Sequence, residues 1–254
     1  MTRCDFTLDE YRRYLSLAVA EGYSFVSFES LDDGHQPTGP EILLRHDVDY
    51  APKYLPAMAA IEADLGVRAT YCLHVDSPWY SPETPDNRAA ISETLDGGHW
   101  LGLHFDASSI ESDRDVLSGV TEQANRLGDL FTQTVRAVSF HMPGRRPVDH
   151  LELPGDLINT YAARFFTEIG YVSDSNHNWR GVDLHDVLTQ QAHNRLQLLI
   201  HPFWWRPLPG TMRRKMHDLA VELGVDMHEI VTPEQWALMD EQERSAAGEI
   251  AEPL

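Results

Sequence analysis

The sequence predicts an α/β fold in which six or seven parallel strands alternate with helices. Three observations carry the prediction. Apolar runs of strand length recur at regular intervals, stretches with helical spacing separate them, and four runs end abruptly in ionisable residues. These are Leu43-Leu44-Arg45-His46-Asp47-Val48-Asp49, Trp100-Leu101-Gly102-Leu103-His104, Ala137-Val138-Ser139-Phe140-His141 and Leu196-Gln197-Leu198-Leu199-Ile200-His201. Periodicity leaves a doubly wound sheet and a closed barrel both open. In either, ligands gather at the carboxyl ends of the strands, where these histidines and aspartates fall.

Thr7-Leu8-Asp9-Glu10 has the capping-box pattern, and Leu8, Tyr11, Leu15, Ala18 and Val19 then recur at helical spacing up to Gly22, which predicts an opening helix. Residues 23–28 and 42–46 read as strands divided by a polar loop containing Gly and Pro. Pro52 opens a helix that Gly66 stops, and residues 68–73 form the next strand. Pro78, Pro82 and Pro85 mark a loop, a helix reaches about Leu95, and Asp96-Gly97-Gly98 turns the chain into the strand ending at His104. A polar helix over roughly 113–131 leads to the strand ending at His141, and a helix over 157–169 leads to a strand at 171–174. After the strand ending at His201, helices close the chain. This organisation implies one domain over residues 1–240, followed by an acidic, Ala-rich tail at 241–254 that composition marks as disordered.

The chain has 254 residues, enough to bury a sizeable core, and 40 acidic against 20 basic residues give it a formal charge of -20. Such a field repels phosphate backbones and anionic membrane surfaces, so neither nucleic acid nor a membrane is an expected partner. Cys4 and Cys72 make no disulfide framework, the first thirty residues lack a basic-then-apolar export signal, and no apolar segment has the length to span a bilayer. The expectation is a cytoplasmic protein acting on a small-molecule or oligosaccharide substrate, as a monomer or a homo-oligomer.

Strand alternation puts Asp47 and Asp49 on one face, where two carboxylates repel unless a cation or a shared proton joins them. A divalent metal is the simplest resolution. A lone histidine closing a strand is more often a hydrogen-bonded structural residue than a ligand. Four such strand ends together with a D-x-D pair point instead to one shared pocket.

In their order, these motifs resemble those of the polysaccharide deacetylases of the NodB-homology group, a carbohydrate esterase type, over about residues 40–206. Leu44-Arg45-His46-Asp47-Val48-Asp49 matches the first motif, with its paired aspartates. Gly98-His99-Trp100-Leu101-Gly102-Leu103-His104 looks like the approach to the metal-binding histidine. Phe140-His141-Met142-Pro143-Gly144 stands at the Arg-x-Pro-x-Gly wall, Asp174 near the aspartate motif, and Leu199-Ile200-His201 on the strand of the general-acid histidine. The resemblance implies a distorted (β/α) barrel and a metal-dependent hydrolase, with Zn2+ as the first choice of cofactor. Ser108 replaces the family's second metal histidine, and His141 replaces its wall arginine. Asp49, His104 and His141 are therefore the expected ligands. Asp47 becomes the base, although the D-x-D spacing leaves the roles of the two aspartates interchangeable. His201 becomes the acid, with Asp174 orienting an imidazole. Substrate contacts are expected from Arg45, His46, Trp204, Trp205 and Arg180. Arg45-His46 marks a divergent branch associated with surface-polysaccharide and small-molecule biosynthesis. The expected reaction is N-deacylation of an amino sugar or a related intracellular intermediate. The alternatives are hydrolysis of a non-sugar amide, formamide or cyclic amide in the manner of allantoinases and imidases, or a non-catalytic carbohydrate-binding descendant.

Overall fold

The computed structural model describes residues 4–246. The chain packs as two compact units, Met1–Pro207 and Leu208–Leu254. In the first, α1 (Leu8–Ala20) precedes β1 (Ser24–Phe25), α2 (Phe28–Asp32), β2 (Glu41–Val48) and α3 (Leu55–Asp64). There follow β3 (Thr70–Leu73), α4 (Pro85–Asp96), β4 (Trp100–Asp106), α5 (Asp113–Phe131) and β5 (Ala137–His141). The unit continues with β6 (Ile158–Asn159), α6 (Ala163–Phe166), β7 (Gly170–Ser173), α7 (Leu184–Thr189) and β8 (Arg195–Ile200). No helix among the described residues is long and apolar enough to cross a membrane.

Every ladder is parallel, and the strands run in the order β6-β5-β4-β3-β2-β8-β7, with β1 beside the start of β2. The side chains show that this sheet is curled. Four strand spacings of about 4.8 Å would separate β2 from β6 by roughly 19 Å in a flat sheet. Yet Arg45 on β2 donates to Thr160 Oγ1, just beyond β6, at 2.8 Å. Gln197 on β8 likewise donates to the carbonyls of Thr160 and Phe165 at 3.2 and 2.6 Å. Only a sheet rolled on itself brings these groups together, and β6 and β7 end the path without pairing each other. The fold is the distorted, incompletely closed (β/α) barrel.

Alternation along β2 sends Leu43, Arg45 and Asp47 inward and His46 outward. The inner residues form layers. Leu43, Ala137 and Ile158 meet Phe28 and Phe165 in an apolar floor, with each side chain larger than alanine contributing roughly 1.5–3 kcal/mol. Arg45 and Gln197 lie above it, and Asp47 above them. Gly102 of β4 shares the inner face: a Cβ there would sit 2.6 Å from Cys72 Sγ and 3.2 Å from the Ala137 carbonyl. The barrel wall has room for hydrogen at that position and nothing larger.

Three expected elements differ. The strand at 23–28 stops at Phe25, because the Ser27 hydroxyl accepts from Ser30 N and caps α2. The helix at 157–169 is confined to Ala163–Phe166. Before it, Ile158 and Asn159 pair with Ala137 and Val138, and the Asn159 amide donates to the carbonyls of Val148 and Leu151. A sheet edge and satisfied carbonyls outweigh helical periodicity there. The second unit holds α8 (Met212–Leu223), α9 (Met227–Ile230) and α10 (Pro233–Ala246). Within it, Arg213 pairs with Asp240 and Glu243 at 2.6 and 2.5 Å and stacks on Trp236. The unit begins at Leu208. α10 also carries the first residues of the expected disordered tail, through Ala246, as helix. Residues 247–254 lie outside the described residues.

Candidate active site

The inward residues of β2, β4, β5 and β8 converge at the carboxyl ends of the strands. His104 Nε2 and His141 Nδ1 each lie 3.0 Å from Asp49 Oδ1, and 3.2 Å from each other. The His104 and His141 rings cross at 88°. A tetrahedral ion with bonds of about 2.0–2.1 Å needs donors roughly 3.3 Å apart, so the cluster fits a divalent cation with only a slight opening. One oxygen and two imidazole nitrogens suit zinc and its borderline neighbours. Nδ1 of His104 is engaged with Ser139 Oγ at 2.7 Å, which leaves Nε2 aimed at Asp49. Burial opposes the charge on Asp49, but His141 and His104 outweigh it and hold the carboxyl well below its usual range. Burial likewise opposes protonation of His141, and Asp49 outweighs it and raises the imidazole.

Two further ionisable pairs flank the cluster. Asp47 is buried beneath it, with Oδ2 3.7 Å from His104 Nδ1, and Arg45 closes on both carboxylate oxygens at 3.1 Å. Burial pushes the Asp47 carboxyl up, but Arg45 and His104 more than reverse this, so it stays ionised. On the other side, His201 Nδ1 meets Asp174 Oδ1 at 2.6 Å, while Nε2 points toward Asp49 Oδ2 at 3.9 Å. Asp174 is fully buried and also accepts from His201 N and from Trp205 Nε1 at 2.8 Å. Burial disfavours the His201 imidazolium, but Asp174 outweighs it and holds the group at about 9.

Several residues expected at the substrate lie elsewhere. Arg45 is wholly buried within the barrel, where Thr160, Gln197, Tyr161 and Asp47 take its donors. His46 faces the opposite side of the sheet, bonded to Glu62 at 2.6 Å in a buried cluster with Tyr11, Tyr71 and His99. Both side chains, expected at the substrate, are fully buried. Trp205 is 1% exposed and serves as a donor to Asp174, and Trp204 is 3% exposed and packs on Phe203 and His177. Both rings, expected to stack on a substrate, are buried in this packing. Arg180 is exposed, in the loop after Asp174.

The sequence reading missed His74. It follows β3, and its ring lies 5.9 Å from that of His104 and 5.7 Å from that of His141. Tyr71-Cys72-Leu73-His74 carries the same signal as the other four strand ends, an apolar run closing in histidine. Burial, with His104 and His141 adding, pushes His74 down to about 4. Backbone strain also gathers here. Ala51, Met142, Asn176 and His177 take φ values of 38°, 46°, 58° and 57°, one to three residues after Asp49, His141 and Asp174.

Fold and site together define a (β/α)-barrel protein with a carboxylate–imidazole cluster of metal-binding type at the carboxyl ends of its strands. No protein-family model matches the chain, and no curated protein does. Among solved structures, it is similar to the Streptococcus pyogenes deacetylase PplD in complex with acetate, at 15% identity and TM-score 0.44, over 77% of this chain and 81% of that one. It is similar to the chitin deacetylase of the fungal pathogen Colletotrichum lindemuthianum, at 13% identity and TM-score 0.42, over 80% and 87% of the two chains. It is similar also to BA3943, a CE4 family pseudoenzyme from Bacillus anthracis, at 13% identity and TM-score 0.43, over 74% of this chain and 62% of that one.

Proposed function

We propose that this chain is a metal-dependent amide hydrolase that removes an acyl group, acetyl first among them, from the nitrogen of an amino sugar or a related biosynthetic intermediate in the cytoplasm. One observation carries the reading: Asp47 and His201 are held in opposite protonation states on two sides of a three-donor cluster. Titratable groups pushed apart in this way make an acid and a base at the same pH. Asp49, His104 and His141 would hold the cation, which when bound polarises the acyl oxygen and acidifies a water.

Asp47 is ionised and takes a proton from the attacking water. Arg45 holds its carboxylate in place and keeps it charged. As the C–N bond breaks, His201 Nε2 gives its proton to the departing nitrogen, so water and amide become carboxylic acid and amine. Asp174 fixes the His201 ring through Nδ1 and keeps the imidazole charged until that moment. The test is purified protein with Zn2+ and a panel of N-acetylated amino sugars, following acetate and free amine. Equal release of both, abolished by chelation and restored by Zn2+, is expected. Protein that neither binds a metal nor releases acetate from any member of the panel refutes the reading.

A further inference from the structure

His74 sits beside the cluster without belonging to it. In that cluster, the donor atoms that lie within 4.8 Å of one another are those of Asp49, His104 and His141, and no His74 atom is among them. Alternation along β3 gives His74 the inward face shared by Thr70 and Cys72, the two side chains that a Cβ at Gly102 would strike. Its ring stands at 85° to that of His104 and at 33° to that of His141. It is therefore on the same side of the wall as both, at the centroid separation of rings in contact. The backbone at this point is pinned. His74 N donates to Tyr80 Oη at 2.8 Å, and that hydroxyl donates to the Val48 carbonyl at 2.9 Å, tying the end of β3 to the end of β2.

The residue is 6% exposed, yet among the described residues no group hydrogen-bonds its ring nitrogens. The other inward histidines have ring partners, His104 in Ser139, His141 in Asp49 and His201 in Asp174, whereas the His74 ring nitrogens keep some access to solvent. A ring held in place by its backbone, with free nitrogens beside a cation-type cluster, is arranged for something that arrives from outside. Resting on the hydrolase reading above, we propose that His74 is a substrate-contacting residue whose imidazole N–H donates to the acyl oxygen as that oxygen gathers charge. An imidazole carries at least one N–H donor in either protonation state, which is what an oxygen gathering charge requires. The substrate it selects is a small acyl group presented as a planar amide, with its oxygen lying between the cluster and the β3 side of the pocket.

Acetohydroxamate, a planar acyl compound with a metal-seeking oxygen, is the probe. Protein loaded with Co2+ is titrated with it while the visible d–d bands are followed, for the unaltered protein, His74→Phe, His74→Gln and His104→Ala. His74→Phe fills the same space without a nitrogen, and His74→Gln restores an N–H donor. The expected result is one Co2+ per chain with unchanged bands in both His74 variants. The hydroxamate dissociation constant should weaken about three- to tenfold in His74→Phe, with part of the loss recovered in His74→Gln. An unchanged dissociation constant in His74→Phe overturns the proposal. Lost Co2+ or altered starting bands in either His74 variant also overturns it, by making the residue a metal ligand. If His74→Phe does not fold, His74→Ala is judged by the same criteria. Intact Co2+ binding in His104→Ala is a different failure, since it removes the hydrolase centre itself.

Discussion

Replacing Arg45 with methionine separates a substrate contact from an internal counter-ion. The guanidinium is fully buried and donates to Thr160, Gln197, Tyr161 and Asp47 at 2.6 to 3.1 Å. Met keeps much of the stem's volume but leaves the Asp47 carboxylate charged and unpaired in the barrel. Removing one partner of a buried ion pair costs about 3–5 kcal/mol. At a urea dependence of about 2 kcal/mol/M, this lowers the unfolding midpoint by roughly 1.5–2.5 M. Asp47 has its folded pKa depressed, so the pair stabilises the fold above the unfolded value near 3.8 and the contribution fades as pH falls through the folded value. The penalty for Arg45→Met should therefore be large at pH 7–8 and should shrink below about pH 4. It should also fall sharply when Asp47→Asn is already present. Urea melts of the unaltered protein, the two single variants and the double variant at about pH 3 and at pH 8 make the measurement. A penalty under about 1 kcal/mol, or one independent of both pH and Asp47, refutes the reasoning.

His104→Ala and His141→Ala should each lose bound metal, whereas His201→Ala should keep it and lose turnover; metal content of the three purified proteins decides the division, and retained metal in His141→Ala would make that residue part of the wall instead. In Asp174→Asn, the main raising influence on His201 is gone, so its titration midpoint should drop from about 9 to near or below the ordinary 6.5, a loss of roughly 3 kcal/mol of preference for the charged form. With His201 as the proposed acid, the alkaline limb of the activity profile should move down by the same interval; an NMR titration of the imidazole that still turns over near 9 contradicts the assignment. Ala51 adopts φ 38° two residues after Asp49, and Ala51→Gly should relieve that strain by about 1 kcal/mol, raising Tm by about 2–4 °C while loosening Asp49, the proposed metal ligand. A fall in Tm would show that the position is not strained.

Much of the site was legible in the chain because a barrel strand must end where burial ends. Apolar runs closing in His104, His141 and His201, and the Asp47/Asp49 pair, mark the rim of a β/α fold on local pattern alone. Alternation also carried more information than the motif reading drew from it. It places Arg45 with Asp47 and Asp49, and it places His46 on the far face, where Glu62 meets it. Helix starts were equally local: Thr7 and Ser112 cap α1 and α5 by accepting from Glu10 N and Asp115 N.

What only the tertiary structure decided was how far the sheet curls, and with it which inward residues meet. Rolling brings Thr160 beside Arg45, turning a side chain expected at the substrate into a buried counter-ion. It draws Ile158 and Asn159 onto the edge of β5 against their helical pattern, and it sets His74 beside two imidazoles. Periodicity along the chain assigns each residue a face. The distance between residues on that face depends on curvature, a property of the whole sheet that no local segment encodes.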